Sequence, residues 1–234
     1  MLSSWILNLI NLLLLPFTGD FFKKISGNKD VKEVVSLYPE DNFTKIRFWD
    51  APYIEVEKMI IKSGIITDLG CGEGIFTNFL AMSSPQRKIT GIEIDQERFK
   101  KADRGLKNVS FKRGDVTTID IPKSDDIILF HLLHHLPSYK DQEKVIKNCI
   151  SSLNENGKLI IVEVDIKFSF KYLISLFVDC FLVPWIFEKR FYTPVFYRSK
   201  NNWQKLFNEL NLKYRTTNLE KGKPFTHVVF EVTQ

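Results

Sequence analysis

Cysteine is scarce in this chain: Cys71, Cys149 and Cys180 are the only three in 234 residues, and they lie far apart. No pair has the spacing of a zinc site or a disulfide framework, so a reducing compartment is expected. Histidine is almost as rare, with four residues, three of them gathered in His131-Leu-Leu-His134-His135. No carboxylate or thiol stands beside them at ligand spacing, so no metal site is expected. Long apolar runs are missing too. The richest, Trp5–Leu15, is well short of the roughly 20 residues that a transmembrane helix needs, and it lacks the basic leader of a secretory signal. A cytoplasmic protein is therefore expected. Internal repeats and low-complexity tracts are absent. The basic excess is small, +5, and scattered along the chain. That pattern argues against a nucleic-acid partner, which would need charge gathered on one face.

What is present suits a single folded domain. Apolar residues make up 44% of the chain and charged residues 26%, enough for a sizeable core under an ordinary surface. Residues 1–48 read as a helical, aromatic-rich extension. Within it, Ser4, Asn8 and Asn11 share one face of a helix whose other sides are apolar. Pro16 ends that helix, and Lys23 and Lys24 follow. Three fates fit it: contact with the inner face of a membrane through residues 1–24, a lid, or an added piece of core. A further helix is expected to start at Asp50 as N-cap, with Pro52 in its first turn.

From residue 64 onward, short apolar runs alternate with amphipathic stretches, the signature of βαβ units and a parallel sheet. Strands are expected at 65–69, 88–93, 109–112, 126–130 and 158–164, with helices at 75–82, 96–102 and 140–153. Asn156-Gly157 is expected to turn the last of these helices into its strand. Residues 167–198 break the alternation with an apolar, aromatic insertion. A helix at 201–210, with Ser199 or Asn201 as cap, precedes two final strands at 213–219 and 226–232. A loop with Gly222 and Pro224 joins these strands, so the last should run antiparallel.

The chemistry is concentrated at the expected strand ends. Asp68-Leu-Gly70-Cys71-Gly72-Glu-Gly74 follows an apolar strand and opens a helix. Its glycines permit a tight turn and close approach of a ligand, and the helix start offers free N–H groups. The third glycine comes one residue too early for the dinucleotide fingerprint. About twenty residues on stand Glu93, able to accept both hydroxyls of a ribose, and Ile94. Then come Gly114-Asp115-Val116, placed to meet an adenine amine and ring, the His131–His135 segment, and Glu163.

As a set, these residues resemble the class I S-adenosylmethionine-dependent methyltransferases over about residues 46–233, and look most like a small-molecule or lipid-related branch with a Leu-His-His-Leu segment. The resemblance implies a Rossmann-like α/β fold with a seven-stranded, mostly parallel sheet of order 3-2-1-4-5-7-6, preceded here by the helical extension 1–48 and interrupted after strand 5. It implies S-adenosylmethionine as cofactor. Gly70 and Gly72 would lie against its methionine part, with Asp68 orienting the turn and Cys71 within it. Glu93 and Ile94 would take the ribose end, Asp115 and Val116 the adenine, and His131 would sit beneath the sulfonium. The family usually has Asp where this chain has Glu93, one methylene longer. Arg47 could hold the methionine carboxylate bidentately, or form only a surface ion pair.

Methyl transfer from a sulfonium is an in-line displacement that needs a base only when the nucleophile arrives protonated. Candidates are His131, His134, Glu163 and His227, with Asp165 behind them; packing or hydrogen-bonding roles compete for each. The insertion, with Phe177 and Trp185 among its aromatics, suits a lid over a hydrophobic acceptor or a structural cover for the sheet edge. Three functions follow: methylation of a hydrophobic small molecule or lipid-like acceptor, methylation of protein or nucleic acid, and cofactor binding without catalysis. The second ranks lower because no basic-aromatic stripe and no Asn-x-Pro-Pro-aromatic motif occurs.

Overall fold

The computed structural model describes residues 27–39, 42–165, 195–219 and 226–234. The helix expected within residues 1–18, most of the insertion 167–198 and the Gly222–Pro224 loop lie outside them. The apolar runs become seven strands: β1 (Gly64–Leu69), β2 (Arg87–Glu93), β3 (Val109–Arg113), β4 (Ser124–Phe130), β5 (Leu153–Val164), β6 (Lys213–Leu219) and β7 (His227–Thr233). They form one sheet in the order β3-β2-β1-β4-β5-β7-β6. The β1–β2, β1–β4, β2–β3 and β4–β5 pairs are parallel, and β7 runs antiparallel to both β5 and β6. Fold and strand order are those expected from the sequence.

The described helices are α1 (Lys29–Leu37), α2 (Asn42–Asp50), α3 (Tyr53–Glu57), α4 (Ile75–Ser83), α5 (Gln96–Ala102), α6 (Tyr139–Ser152) and α7 (Lys200–Glu209). Alternation along β4 shows why two layers are needed, since successive strand side chains point to opposite faces. Ile128 and Phe130 join a core with Val31 and Val34 of α1, Phe48, Tyr53 and Phe79. Ile127 and Leu129 join the opposite core, with Val145 and Cys149 of α6 and Trp203 and Phe207 of α7. Val31, Val34, Phe48, Tyr53 and Val56 thus share a core with the sheet.

Two local expectations need correction. Asp50 does not start a helix. It is the last residue of α2, and Pro52 stands at the N-cap of α3 without a side-chain cap bond. The Asp50 carboxylate is engaged instead by Arg47 at 2.9 Å. Asn156-Gly157 does not lead into the strand but lies inside it. Leu153 already pairs with Ser124, and the ladder resumes at Asp126↔Lys158 after an irregularity. Asn156 takes a left-handed φ of 62° there, a conformation its short polar side chain tolerates. Of the two candidate caps for α7, Ser199 is used, accepting from the Asn202 N–H. Among the described residues, no helix is long and apolar enough to cross a membrane.

Candidate functional site

In this sheet the strand order reverses between β1 and β4, and ligands of open α/β folds bind beyond the carboxyl ends of the strands at that point. Gly70 follows β1 there. Its N–H and that of Cys71 donate to the Ile92 carbonyl at 2.7 and 3.0 Å, which ties the turn to β2. Gly72 has φ +58°, and a Cβ built on it would meet no atom within 4 Å. At Gly72 the turn therefore bares its backbone to open space, whereas a Cβ on Gly70 would come 2.6 Å from the Leu132 side chain. Gly74 differs: its φ is +73° and a Cβ would come 2.8 Å from the Ala102 carbonyl. That glycine serves close packing of α4 against α5 rather than ligand approach.

Asp68, at the end of β1, is buried and accepts a 2.6 Å hydrogen bond from the Thr77 hydroxyl. Burial pushes its pKa up to about 7, the Thr77 bond opposes the rise, and the negative charge of Glu93 adds to it. The Cys71 thiol is pushed well up by burial and by Asp68 and Glu93. It is protonated and suits a packing role in the turn.

Glu93, at the end of β2, accepts from the Gly72 N–H and the Asp95 N–H, both at 2.8 Å. Its carboxylate therefore braces the glycine turn as well as facing the strand end. Ile94 beside it is 56% exposed. After β3, Asp115 closes a small turn by accepting from the N–H and hydroxyl of Thr117 through Oδ1, at 2.8 and 2.7 Å. Val116 is buried in the core on the α6 side.

Across the switch point, β4 ends at Phe130, and His131 turns the chain with φ +51°. Its N–H donates to the Val162 carbonyl at 2.9 Å. Its ring stacks on that of His227 at 4.9 Å with 14° between planes, and Nε2 is buried with no hydrogen-bond partner among the described residues. Burial holds its pKa well below the ordinary value, with His227 and Arg47 adding to the effect. The imidazole is therefore neutral at physiological pH. His134, in a single 3-10 turn at Leu133–His135, places Nδ1 2.6 Å from Glu163 Oε2. The other Glu163 oxygen accepts from the Leu133 N–H at 2.9 Å. This buried carboxylate fixes both the His134 ring and the backbone of Leu133 before it. His227, fully buried, opens β7 opposite Val164. Asp165 takes part through its N–H, which donates to the Thr226 carbonyl. Arg47 approaches from α2, paired with Asp50 and with its guanidinium 5.8 Å from the Tyr53 ring. Among the described residues, no group of three or more His, Cys, Asp or Glu is arranged to hold a metal ion.

Three supports escaped the sequence reading. Thr77 holds Asp68, and Tyr38 touches the glycine turn by donating to the Glu73 carbonyl at 2.8 Å. Gln142 donates to the carbonyls of Leu133 and Phe196 at 3.0 and 2.7 Å, holding the histidine turn. Gln142 left a readable signal. It belongs with Val145, Ile146 and Cys149 to the buried face of α6, and a polar residue in an apolar stripe asks for a partner.

Residues 66–157 match the family of methyltransferase domains. Indole glucosinolate O-methyltransferase 5 of Arabidopsis thaliana is 36% identical over 100 residues, 43% of this chain and 26% of that protein. Ribosomal RNA small subunit methyltransferase C of Acinetobacter baylyi is 34% identical over 112 residues, 44% of this chain and 33% of that protein. The crystal structure of human N-acetylserotonin methyltransferase in complex with S-adenosylmethionine superposes with a TM-score of 0.61 at 15% identity, covering 82% of this chain and 55% of that one. The chain thus spans well under half the length of these two curated relatives. Residues 66–157 thus match a methyltransferase domain, and the seven-stranded sheet has the Rossmann-like fold of that solved structure.

Proposed function

We propose that the chain methylates a small hydrophobic acceptor, in the manner of the small-molecule or lipid-like branch with the Leu-His-His-Leu segment. The observation that carries this reading is the buried His134–Glu163 pair beside the stacked His131 and His227, across the switch point from the open glycine turn. When bound, S-adenosylmethionine supplies a methyl group on an electrophilic sulfonium. Gly70, Cys71 and Gly72 would lie along its methionine end, with Asp68 and Arg47 meeting the amine and carboxylate. Glu93 would accept from the ribose hydroxyls on lone pairs that the Gly72 and Asp95 N–H groups leave open. Ile94, Asp115 and Val116 would border the adenine.

On the acceptor side, a neutral imidazole held by a carboxylate can take the proton of a hydroxyl nucleophile. His134 has that partner in Glu163, so it is the assigned base, with His131 and His227 walling the reacting groups off from water. Segment 167–198 would cover the acceptor, making 49–234 the catalytic domain and 1–48 its helical addition. Residues 1–24, whose sequence joins the apolar run Trp5–Leu15 to Lys23 and Lys24, would bring the enzyme to a membrane that holds such an acceptor. The likeness to a ribosomal RNA enzyme keeps nucleic acid as the competing substrate class. The thinly spread charge favours the small molecule.

The direct test measures S-adenosylhomocysteine release with hydroxylated aromatic and prenylated acceptors beside ribosomal RNA. Turnover on RNA alone would overturn the small-molecule reading. Two variants test the residues. Glu93→Ala is expected to weaken cofactor binding by about 1.5–3 kcal/mol, with Glu93→Gln milder because an amide oxygen can still accept from Gly72. Equal affinity of Glu93→Ala and wild type in calorimetry would remove Glu93 from the site. His134→Ala is expected to lower kcat by roughly 100-fold or more with cofactor affinity intact, and Glu163→Gln to lower it while shifting the pH profile. Unchanged turnover in both would discard the pair as base.

A further inference from the structure

The glycine turn is held from outside the nucleotide-binding unit. α1 ends at Leu37, and the next residue, Tyr38, sends its buried ring under the loop that carries Glu73. The Tyr38 hydroxyl donates to the Glu73 carbonyl at 2.8 Å and accepts from Asn78 Nδ2 at 2.8 Å. Asn78 is itself fixed. Its amide also donates to the Ala102 carbonyl at 2.9 Å, and its backbone N–H donates to the Gly74 carbonyl at 2.8 Å. The Arg104 guanidinium lies 4.1 Å from the centre of the Tyr38 ring, and Lys101 pairs with the Glu73 carboxylate at 2.8 Å. Glu73 stands between Gly72, whose neighbourhood is open, and Gly74, which is packed against α5. Burial pushes the Tyr38 phenol up to about 12, against the pull of Asn78 and Arg104, so the hydroxyl stays a donor throughout the working pH range.

We propose that Tyr38 is a positioning residue of the cofactor turn, a phenol supplied by the N-terminal helical segment that holds the Glu73 peptide so that Gly72 presents its backbone to S-adenosylmethionine. This rests on the reading that the cofactor binds at Gly70–Gly74. The physical reason is pre-organisation. Left-handed residues at Gly70, Gly72 and Gly74 give the turn many accessible conformations when unrestrained, and ordering it on binding would cost affinity. Glu93 restrains Gly72 from the β2 side. Tyr38 restrains the next peptide from the α1 side, through a contact that spans 35 positions in the chain. The methyltransferase-domain match begins at residue 66, so this residue lies outside the matched unit.

The test titrates the full chain with S-adenosylhomocysteine by calorimetry and follows amide hydrogen exchange of residues 70–75. Tyr38→Phe keeps the ring, its packing and the stack with Arg104, and removes the hydroxyl. It is expected to weaken binding about tenfold and to speed exchange of the turn in the free protein. Val34→Ala removes buried carbon from the same helix without touching the turn, and serves as the control for lost stability. It is expected to lower the melting temperature while leaving affinity and turn exchange as in wild type. Wild-type affinity in Tyr38→Phe, or equal weakening in Val34→Ala, would overturn the positioning role while the cofactor reading stands. A wild-type chain that takes up no S-adenosylhomocysteine would overturn the cofactor reading itself.

Discussion

Replacing Arg87 by alanine is expected to lower the unfolding free energy by about 3–5 kcal/mol and leave cofactor affinity unchanged. Arg87 opens β2 and is fully buried. Its Nε donates to the Ile61 carbonyl at 2.7 Å and Nη1 to the Leu80 carbonyl at 2.9 Å. Nη2 reaches the Ile60 carbonyl at 3.3 Å and the Glu57 carboxylate at 2.9 Å. One guanidinium thus satisfies the loop before β1, the C-terminal turn of α4 and the carboxylate that ends α3. Alanine would strand those acceptors in a place water does not reach. Among the described residues, it would leave Glu57 with only the solvent-exposed Lys62 as a paired cation. For a chain of this size, the melting temperature should fall by on the order of 10 °C. Urea titration should show a lower midpoint with unchanged slope. Because Arg87 sits at the opposite end of β2 from Glu93, S-adenosylhomocysteine should bind the folded variant as it binds wild type. A loss below about 1 kcal/mol would show that the cluster is worth no more than an exposed ion pair.

That separation between the base of the sheet and its carboxyl edge also explains what the sequence could reveal. Strand positions were legible because Ile127, Ile128, Leu129 and Phe130 are apolar on both faces, as a central parallel strand requires. Turn chemistry marked the boundary at Ser199, whose side chain caps its own helix. Asp50 misled because an aspartate followed by a proline has the chemistry of a helix start. Its carboxylate was drawn instead to Arg47, three residues back on the same helix. The glycine turn and the acidic residue after β2 were legible because their spacing is local. The partners distant in the chain were not. Arg87 meets carbonyls up to 30 positions away, Tyr38 meets Glu73 across 35 and His134 meets Glu163 across 29. Such pairs leave no periodic trace. Glu93 was foreseen as a ribose ligand, but its hold on the Gly72 N–H follows only from the three-dimensional turn.

Asp68→Asn should make the free protein more stable above neutral pH while weakening its grip on the cofactor. Asp68 is buried at the end of β1, and its folded pKa is raised to about 7 by burial and then by Glu93, against the Thr77 hydrogen bond. In the unfolded chain an aspartate titrates near 3.9. The stabilising form in the fold is the protonated one, so its contribution is full below about pH 4 and is lost as pH rises through about 7. Above that, wild type carries a buried carboxylate whose cost approaches about 4 kcal/mol, since each tenfold change in a protonation equilibrium is worth about 1.4 kcal/mol. Asparagine keeps the hydrogen bond to Thr77 and cannot ionise. Its advantage over wild type should therefore grow between pH 4 and 7 and reach a plateau of roughly 2–4 kcal/mol beyond it. A cationic amine at the turn reverses the preference, because it favours the charged carboxylate. Wild-type binding of S-adenosylhomocysteine should then release a proton below pH 7 and weaken by up to about tenfold per pH unit as pH falls. The asparagine variant should bind more weakly at pH 8 and lose that pH dependence. Urea titrations at several pH values give the stability arm, and calorimetry in buffers of different ionisation enthalpy gives the proton count. An asparagine variant less stable than wild type at pH 8, or proton release equal in the two proteins, would show that Asp68 enters the folded state already charged and compensated.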